Sequence, residues 1–249
     1  MLPILQIGPL ALPVPQFSLL IALWLGLTLA ERSANRQGQN SEPLYNLVFT
    51  GLIAGIIGAR LGYVLQFPTA FVQSPFSLFS LSNGMIDPFS GFAFAFLGMF
   101  IYIKRAGLGI LNTLDMLTPM LAVLAIGVAV AHIASGESYG SETNLPWGIN
   151  LWGAIRHPSQ FYELLATFLV LGLTMVRVKN SQPAGQLFLV FAAFTAASHL
   201  FLEAFHGDSV TISGGVRLVQ IIAWVILAAT LLGLDIINQK VWRKDKNHG

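Results

Sequence analysis

The side chains able to do chemistry in this chain are few and clustered. The densest run is Arg156-His157-Pro158-Ser159-Gln160-Phe161-Tyr162-Glu163. Pro158 suits the start of a helix, and Gln160 and Glu163, three apart, would share one of its faces. An arginine here offers a rigid fork of donors to a phosphate, and a histidine offers a proton acceptor near neutral pH. A second set, His199, Glu203 and His206, falls at i, i+4 and i+7 and so marks one stripe of a helix. That stripe suits a metal, with His132 or Glu163 completing the ligands, or a hydrogen-bonded seam between helices. The seam is the reading favoured here, and no metal is expected. Arg60 lies in Gly58-Ala59-Arg60-Leu61-Gly62-Tyr63, whose small residues admit a helix or a headgroup closely. It either snorkels to the surface or holds a lipid phosphate. Asp115, beside Asn112 and Thr113, is placed to cap a helix.

The elements that position these groups follow from composition. Of 249 residues, 55% are hydrophobic and only 10% charged, with a net charge of +2. A soluble domain carries about 25% charge, so a cytosolic globule, a disordered chain and a coiled coil are excluded. Mean hydropathy is +0.70. The absence of cysteine excludes disulfides, thiolate metal sites and a cysteine nucleophile, and so small a net charge gives no reason to expect nucleic acid as a partner. Seven stretches approach the roughly 20 apolar residues a helix needs to cross hydrocarbon: 14–31, 45–66, 89–104, 115–135, 159–177, 185–205 and 216–237. The third is short, and Pro119 interrupts the fourth. In lipid the backbone must satisfy itself, so these are helices, and no alternating pattern suggests a barrel. The expected fold is all-α, a polytopic membrane protein of about seven helices in a single domain, residues 1–249.

Orientation comes from counting cations. Arg32, Arg36, Lys104, Arg105, Arg177, Lys179, Lys240, Arg243, Lys244 and Lys246 fall on one side, and Arg156 and Arg217 on the other. This bias puts the C-terminus in the cytoplasm and the N-terminus outside. No basic region precedes the first apolar stretch, which therefore reads as a mature span rather than a signal peptide. Two outer segments stand out. Residues 67–88 carry Phe67, Phe71, Phe76 and Phe79 without a cation; residues 137–158 carry Trp147 and Trp152 among glycines. Both suit the headgroup boundary. The chain has no internal repeat, which weakens a transporter reading.

The run RHPSQFYE at 156–163 resembles the signature of the bacterial prolipoprotein diacylglyceryl transferases, and the similarity continues in order along the chain. Residues 7–12 resemble that family's opening strip, and Arg32-Ser33-Ala34-Asn35-Arg36 the end of its first helix. Gly58 to Tyr63 is similar to its GGRxGY element. Asn83-Gly84-Met85, Asp115 near Pro119, Gly136-Glu137 with Gly140, Glu203 and Gln220 fall where the family has counterparts. The resemblance implies seven spans with the N-terminus outside. It also implies transfer of the diacylglyceryl group of phosphatidylglycerol to the lipobox cysteine of a prolipoprotein, at the outer face of the bacterial plasma (inner) membrane. No cofactor is required, and the partners are those two substrates and membrane lipids. The thiol belongs to the substrate, which agrees with a chain that has none.

Of this chain's own residues His132, His157 and His199 could supply a base, and Glu137 is kept from the family signature. Arg60, Tyr63, Arg156, Gln160, Tyr162, Glu163, Glu203 and Gln220 would bind substrate. Departures are concentrated among the charged positions. The family's histidine near Ser90-Gly91-Phe92 is missing, and Ala129, His132 and Ser135 replace an arginine and two asparagines. His199 and His206 replace two arginines, and Pro15 stands nearest a tyrosine. A mostly neutral imidazole cannot clamp phosphate as a guanidinium does, and one lost donor to a transition-state oxyanion costs on the order of 3 kcal/mol. Arg60, Arg156 and Arg217 remain to hold a phosphate. The chain is thus read as a transferase with a rebuilt site, as a lipid-binding or regulatory relative that lost the reaction, or as a different membrane enzyme using the His199 stripe.

Overall fold

The structure, a computed structural model, describes residues 3–8, 10–73, 86–178, 183–212 and 214–248. Asn83-Gly84-Met85, Phe76, Phe79 and Lys179 lie outside the described residues. The chain is a multi-pass all-α membrane protein. Its helices are α1 (Val14–Arg36), α2 (Glu42–Gln66), α3 (Pro68–Gln73), α4 (Pro88–Arg105), α5 (Ile110–Ser135), α6 (Ser159–Val178), α7 (Gln186–Leu202) and α8 (Leu218–His248). Among the described residues two short hairpins accompany them: β1 (Ile4–Ile7) with β2 (Leu10–Pro13) before α1, and β3 (Ile149–Leu151) with β4 (Ala154–Arg156) between α5 and α6. Among the described residues six helical segments are long and apolar enough to cross a membrane. The remaining predicted span, 89–104, is α4, whose 18 residues end in Lys104 and Arg105 and reach only about 27 Å.

Pro119 does not interrupt its helix, contrary to the sequence expectation. Residues 110–135 form one continuous helix around it, with Pro119 among the most buried side chains. Packed neighbours let membrane helices tolerate proline. Outward faces are apolar, as lipid requires: Trp24, Leu165, Leu169, Trp224 and Leu232 are all exposed.

By their contacts the residues divide into two compact units, 40–113 and a second formed by 1–39 with 114–249. In the first, α2 and α4 run antiparallel along a seam of small residues. A Cβ built on Gly58 would lie 2.3 Å from the Cβ of Phe94, and one on Gly62 2.3 Å from the Cβ of Ser90, so the helices pass closely there. Asp87 caps α4, accepting from the Ser90 amide at 2.9 Å, while its own amide donates to the Ala59 carbonyl at 2.8 Å. The hydrogen bonds from Ser90 hold the Asp87 carboxyl below its ordinary value. The cap's contribution is therefore complete above the usual aspartate range and lost as pH falls through the lowered native pKa. Thermal melting in detergent should show the wild type losing ground to Asp87→Asn, which caps without titrating, as pH drops below about 4. Parallel curves for the two proteins would remove the charged cap.

In the second unit, Ala122, Val170 and Phe191 bring α5, α6 and α7 to a common core, flanked by Leu121, Leu171 and Phe188. Asp115 caps a helix, but not its own. Its two carboxylate oxygens accept from the amides of Gly185 and Phe188, at 2.5 and 2.8 Å, at the start of α7.

Candidate functional site

The 156–163 run forms the start of α6 as its residue types dictate. The β3–β4 hairpin turns at Trp152 and Gly153, both with positive φ (55° and 79°), which matches the twist of a two-residue hairpin loop. It delivers Arg156 and His157 to the helix, which Pro158 opens by accepting from the amides of Phe161 and Tyr162. Gln160 and Glu163 share the inward face, as expected: Gln160 is fully buried and Glu163 nearly so.

Glu163 reaches across to α5. Its Oε2 lies 2.8 Å from His132 Nδ1, with the His132 side chain 26% exposed and that of Glu163 7%. A carboxylate on Nδ1 keeps the proton there and leaves Nε2 as the free lone pair. Around this pair the polar groups are tied to the 136–141 segment. Gln160 Nε2 donates to the Glu137 carbonyl at 3.1 Å, and Ser159 Oγ to the Ser138 carbonyl at 2.6 Å. Trp147 Nε1 donates to Tyr162 Oη at 2.9 Å. The side-chain atoms His157 Nδ1, Gln160 Oε1, Glu203 Oε1 and Arg217 Nη1 are buried with no partner among the described residues. Unmatched buried polar atoms are costly in a packed interior, so these mark where a polar ligand would be welcome.

Several expected site residues stand elsewhere or do other work. Arg156 is engaged internally: Nε donates to the Leu151 carbonyl at 3.2 Å, Nη1 to the Gly140 carbonyl at 3.4 Å, and Nη2 to Glu142 Oε1 at 3.4 Å. Its guanidinium also sits 5.0 Å from the centre of the Tyr139 ring. It ties the hairpin to the loop before it. The His199, Glu203, His206 stripe does not form. Helix α7 ends at Leu202, a single 3-10 turn (Glu203–Phe205) follows, and His206 is extended with ψ 140°. His199 is exposed, whereas Glu203 and His206 are buried and paired at 3.2 Å. Among the described residues no three metal-ligating side chains converge. Glu137 offers its carbonyl, and its side chain is exposed. Gln220 is half-buried in the first turn of α8, its amide on the Arg217 carbonyl. In the other unit, Tyr63 packs on Phe67 and Phe71 with ring centres 4.8 and 6.1 Å apart, and the Arg60 guanidinium lies 5.7 Å from the Phe71 ring centre.

Sequence reasoning missed Ser138. Its φ of 55° places a non-glycine residue in the left-handed region, and its hydroxyl lies 3.3 Å from His206 Nε2. The available signal was the pair of glycines, 136 and 140, that bracket it.

Apolar helices long enough to cross a membrane, with a buried carboxylate of α6 set against a histidine of α5, define a multi-pass membrane protein with a polar cluster at the start of α6. Comparison with known proteins makes this specific. The sequence pattern of the prolipoprotein diacylglyceryl transferase family matches residues 3–235, and the chain belongs to that family. A phosphatidylglycerol–prolipoprotein diacylglyceryl transferase of Clostridioides difficile is 27% identical over 225 residues, covering 90% of this chain and 88% of its own. Enzymes of the same name from Geobacter sulfurreducens and Aromatoleum aromaticum are 30% identical over 185 residues (71% of each chain) and 26% over 246 (93% and 92%).

Proposed function

We propose that this protein transfers the diacylglyceryl group of phosphatidylglycerol to the lipobox cysteine thiol of a prolipoprotein. The whole chain works as one integral membrane domain of the bacterial inner membrane, its N-terminus and active site facing outward. The names of the relatives supply the substrate pair, and the observation that supports chemistry in this chain is the His132–Glu163 contact of 2.8 Å. His132 Nε2 takes the thiol proton. The thiolate sulfur attacks the glycerol carbon that bears the phosphate ester, a thioether S–C bond forms, the C–O bond breaks, and glycerol phosphate leaves with its electron pair. Glu163 holds the ring in the tautomer that can do this.

Among the described histidines, His132 suits the role best. Both ring nitrogens of His206 are taken, by Glu203 and Ser138, and neither His157 nor His199 has a carboxylate to orient it. Gln160, Glu203 and Gln220 line the lipid headgroup, with Tyr162 held by Trp147. Arg217 supplies the cation for the departing phosphate in place of Arg156. Arg60 and Tyr63 also bind substrate.

The test is direct. Purified protein with labelled phosphatidylglycerol and a lipobox peptide should yield the thioether-linked peptide, detected by mass spectrometry. No product under conditions in which a relative such as the Clostridioides difficile enzyme is active would end the proposal.

A further inference from the structure

Residues 136–140 read Gly-Glu-Ser-Tyr-Gly, a serine between glycines at the spacing found where hydrolases expose a nucleophile on a sharp turn. The spacing alone is weak, since no strand-turn-helix surrounds it. The geometry adds three independent observations. Ser138 holds φ at 55°, a conformation that a β-carbon disfavours and that persists where surrounding structure enforces it, often at functional sites. Its hydroxyl lies 3.3 Å from His206 Nε2. The other ring nitrogen of that histidine, Nδ1, lies 3.2 Å from Glu203 Oε2. Serine, histidine and carboxylate are therefore in line and in the order needed for nucleophilic catalysis, the carboxylate fixing the tautomer that leaves Nε2 to receive the hydroxyl proton.

Burial is graded in the matching sense. Glu203 and His206 are 4% and 7% exposed, while Ser138 is only half-buried. The arrangement is firmly held. The Gly207 amide donates to the Tyr139 carbonyl and the Ser141 amide to the Phe205 carbonyl, each at 2.8 Å, so the serine loop and the histidine loop are stitched together. The Tyr139 amide, next after Ser138, donates to no group among the described residues, leaving a backbone donor beside the hydroxyl for a developing oxyanion. Distances slightly beyond ideal are usual before a substrate tightens such a set.

We infer that Ser138, His206 and Glu203 form a second, esterase-type catalytic site that cleaves acyl esters of membrane glycerolipids. Lipid is the class that fits the place, since the triad sits where α7 ends and α6 begins, beside Phe205 and the exposed Phe201, whose rings are 5.5 Å apart. Ser138 Oγ attacks the ester carbonyl carbon while its proton passes to His206 Nε2. The tetrahedral adduct collapses, the lyso-lipid oxygen leaves with that proton, and the acyl group remains on Ser138. Water, deprotonated by His206, then releases the fatty acid and restores the hydroxyl. The nucleophile and base of this site differ from the base of the transfer reaction, His132, although Glu203 serves both sites.

A fluorophosphonate probe, which bonds only to activated serines, tests it on the purified full chain. The wild type should gain one adduct, mapped by mass spectrometry to Ser138. Ser138→Ala should gain none, His206→Gln should label about a hundredfold more slowly or worse, and Glu203→Gln should fall in between. Ser138→Ala removes only an oxygen, and its melting temperature serves as the check on folding. Fatty-acid release from phosphatidylglycerol vesicles is measured beside hydrolysis of soluble p-nitrophenyl butyrate. Release from vesicles that disappears in Ser138→Ala is the expected result. Labelling of the wild type no greater than that of Ser138→Ala, or hydrolysis confined to the soluble ester, would overturn the inference. Diacylglyceryl transfer to the lipobox peptide, run on the wild type and Ser138→Ala, reports separately on His132.

Discussion

Replacing His132 by alanine is expected to lower the rate of diacylglyceryl transfer by about 10²- to 10⁴-fold, the usual worth of a positioned general base. The effect should fall on kcat, because His132 is partly exposed at the end of α5 and its removal leaves the headgroup contacts of Gln160 and Gln220 in place. Glu163→Gln removes the carboxylate that fixes the tautomer at 2.8 Å, and is expected to cost a large part of the same factor. The decisive comparison is the double variant. If Glu163 acts through His132, then His132→Ala with Glu163→Gln should be no slower than His132→Ala alone, because residues that act as a unit are not additive. Rates are read as thioether product per minute from labelled phosphatidylglycerol. A double variant slowed by the product of the two single effects would mean that the two residues act separately, and the 2.8 Å contact would then be structural.

That pair illustrates what a sequence can and cannot carry. The inward face of Gln160 and Glu163 was legible, because helical period and a proline start fix it locally, and all seven expected spans return as helices. That Glu163 meets His132, thirty-one residues earlier on another helix, depends on how α5 and α6 pack, which no local pattern encodes. The same limit explains Arg156. Its type and place suggested a phosphate clamp, but the carbonyls of Gly140 and Leu151 reach it through a hairpin that forms only because Trp152 and Gly153 adopt positive φ. The His199 stripe failed for a different reason. The period argument assumed a helix through residue 206, whereas the chain breaks from α7 at Leu202 and crosses the serine loop. The glycine at 207 was the visible hint, but its meaning lies in how closely two strands of backbone pass there.

That crossing is where a single methyl group should do most harm to folding. Gly140 is fully packed: a Cβ there would lie 2.1 Å from the His157 carbonyl oxygen and 2.6 Å from the His157 Cβ, and Gly207 in turn would place its Cβ 2.7 Å from the Gly140 oxygen. Neither neighbour can yield as the tip of a flexible side chain would. The His157 amide is bonded to the Ser141 carbonyl at 2.9 Å, and Gly140 bridges His206. Gly140→Ala must therefore force the 139–141 segment away from the start of α6, and is expected to cost about 3 kcal/mol or more, the upper range for overpacking. The displaced segment follows directly on Glu137 and Ser138, whose carbonyls hold Gln160 and Ser159, so transfer activity should fall with stability. Gly172→Ala, on α6 where nothing lies within 4 Å of the added carbon, is the matched control. It should be neutral or slightly stabilising, since alanine favours helix over glycine by up to about 1 kcal/mol. Melting of both proteins in one detergent decides the matter. If the two melted alike, the close passage of residues 140, 157 and 207 could not be what holds the polar end of the bundle together.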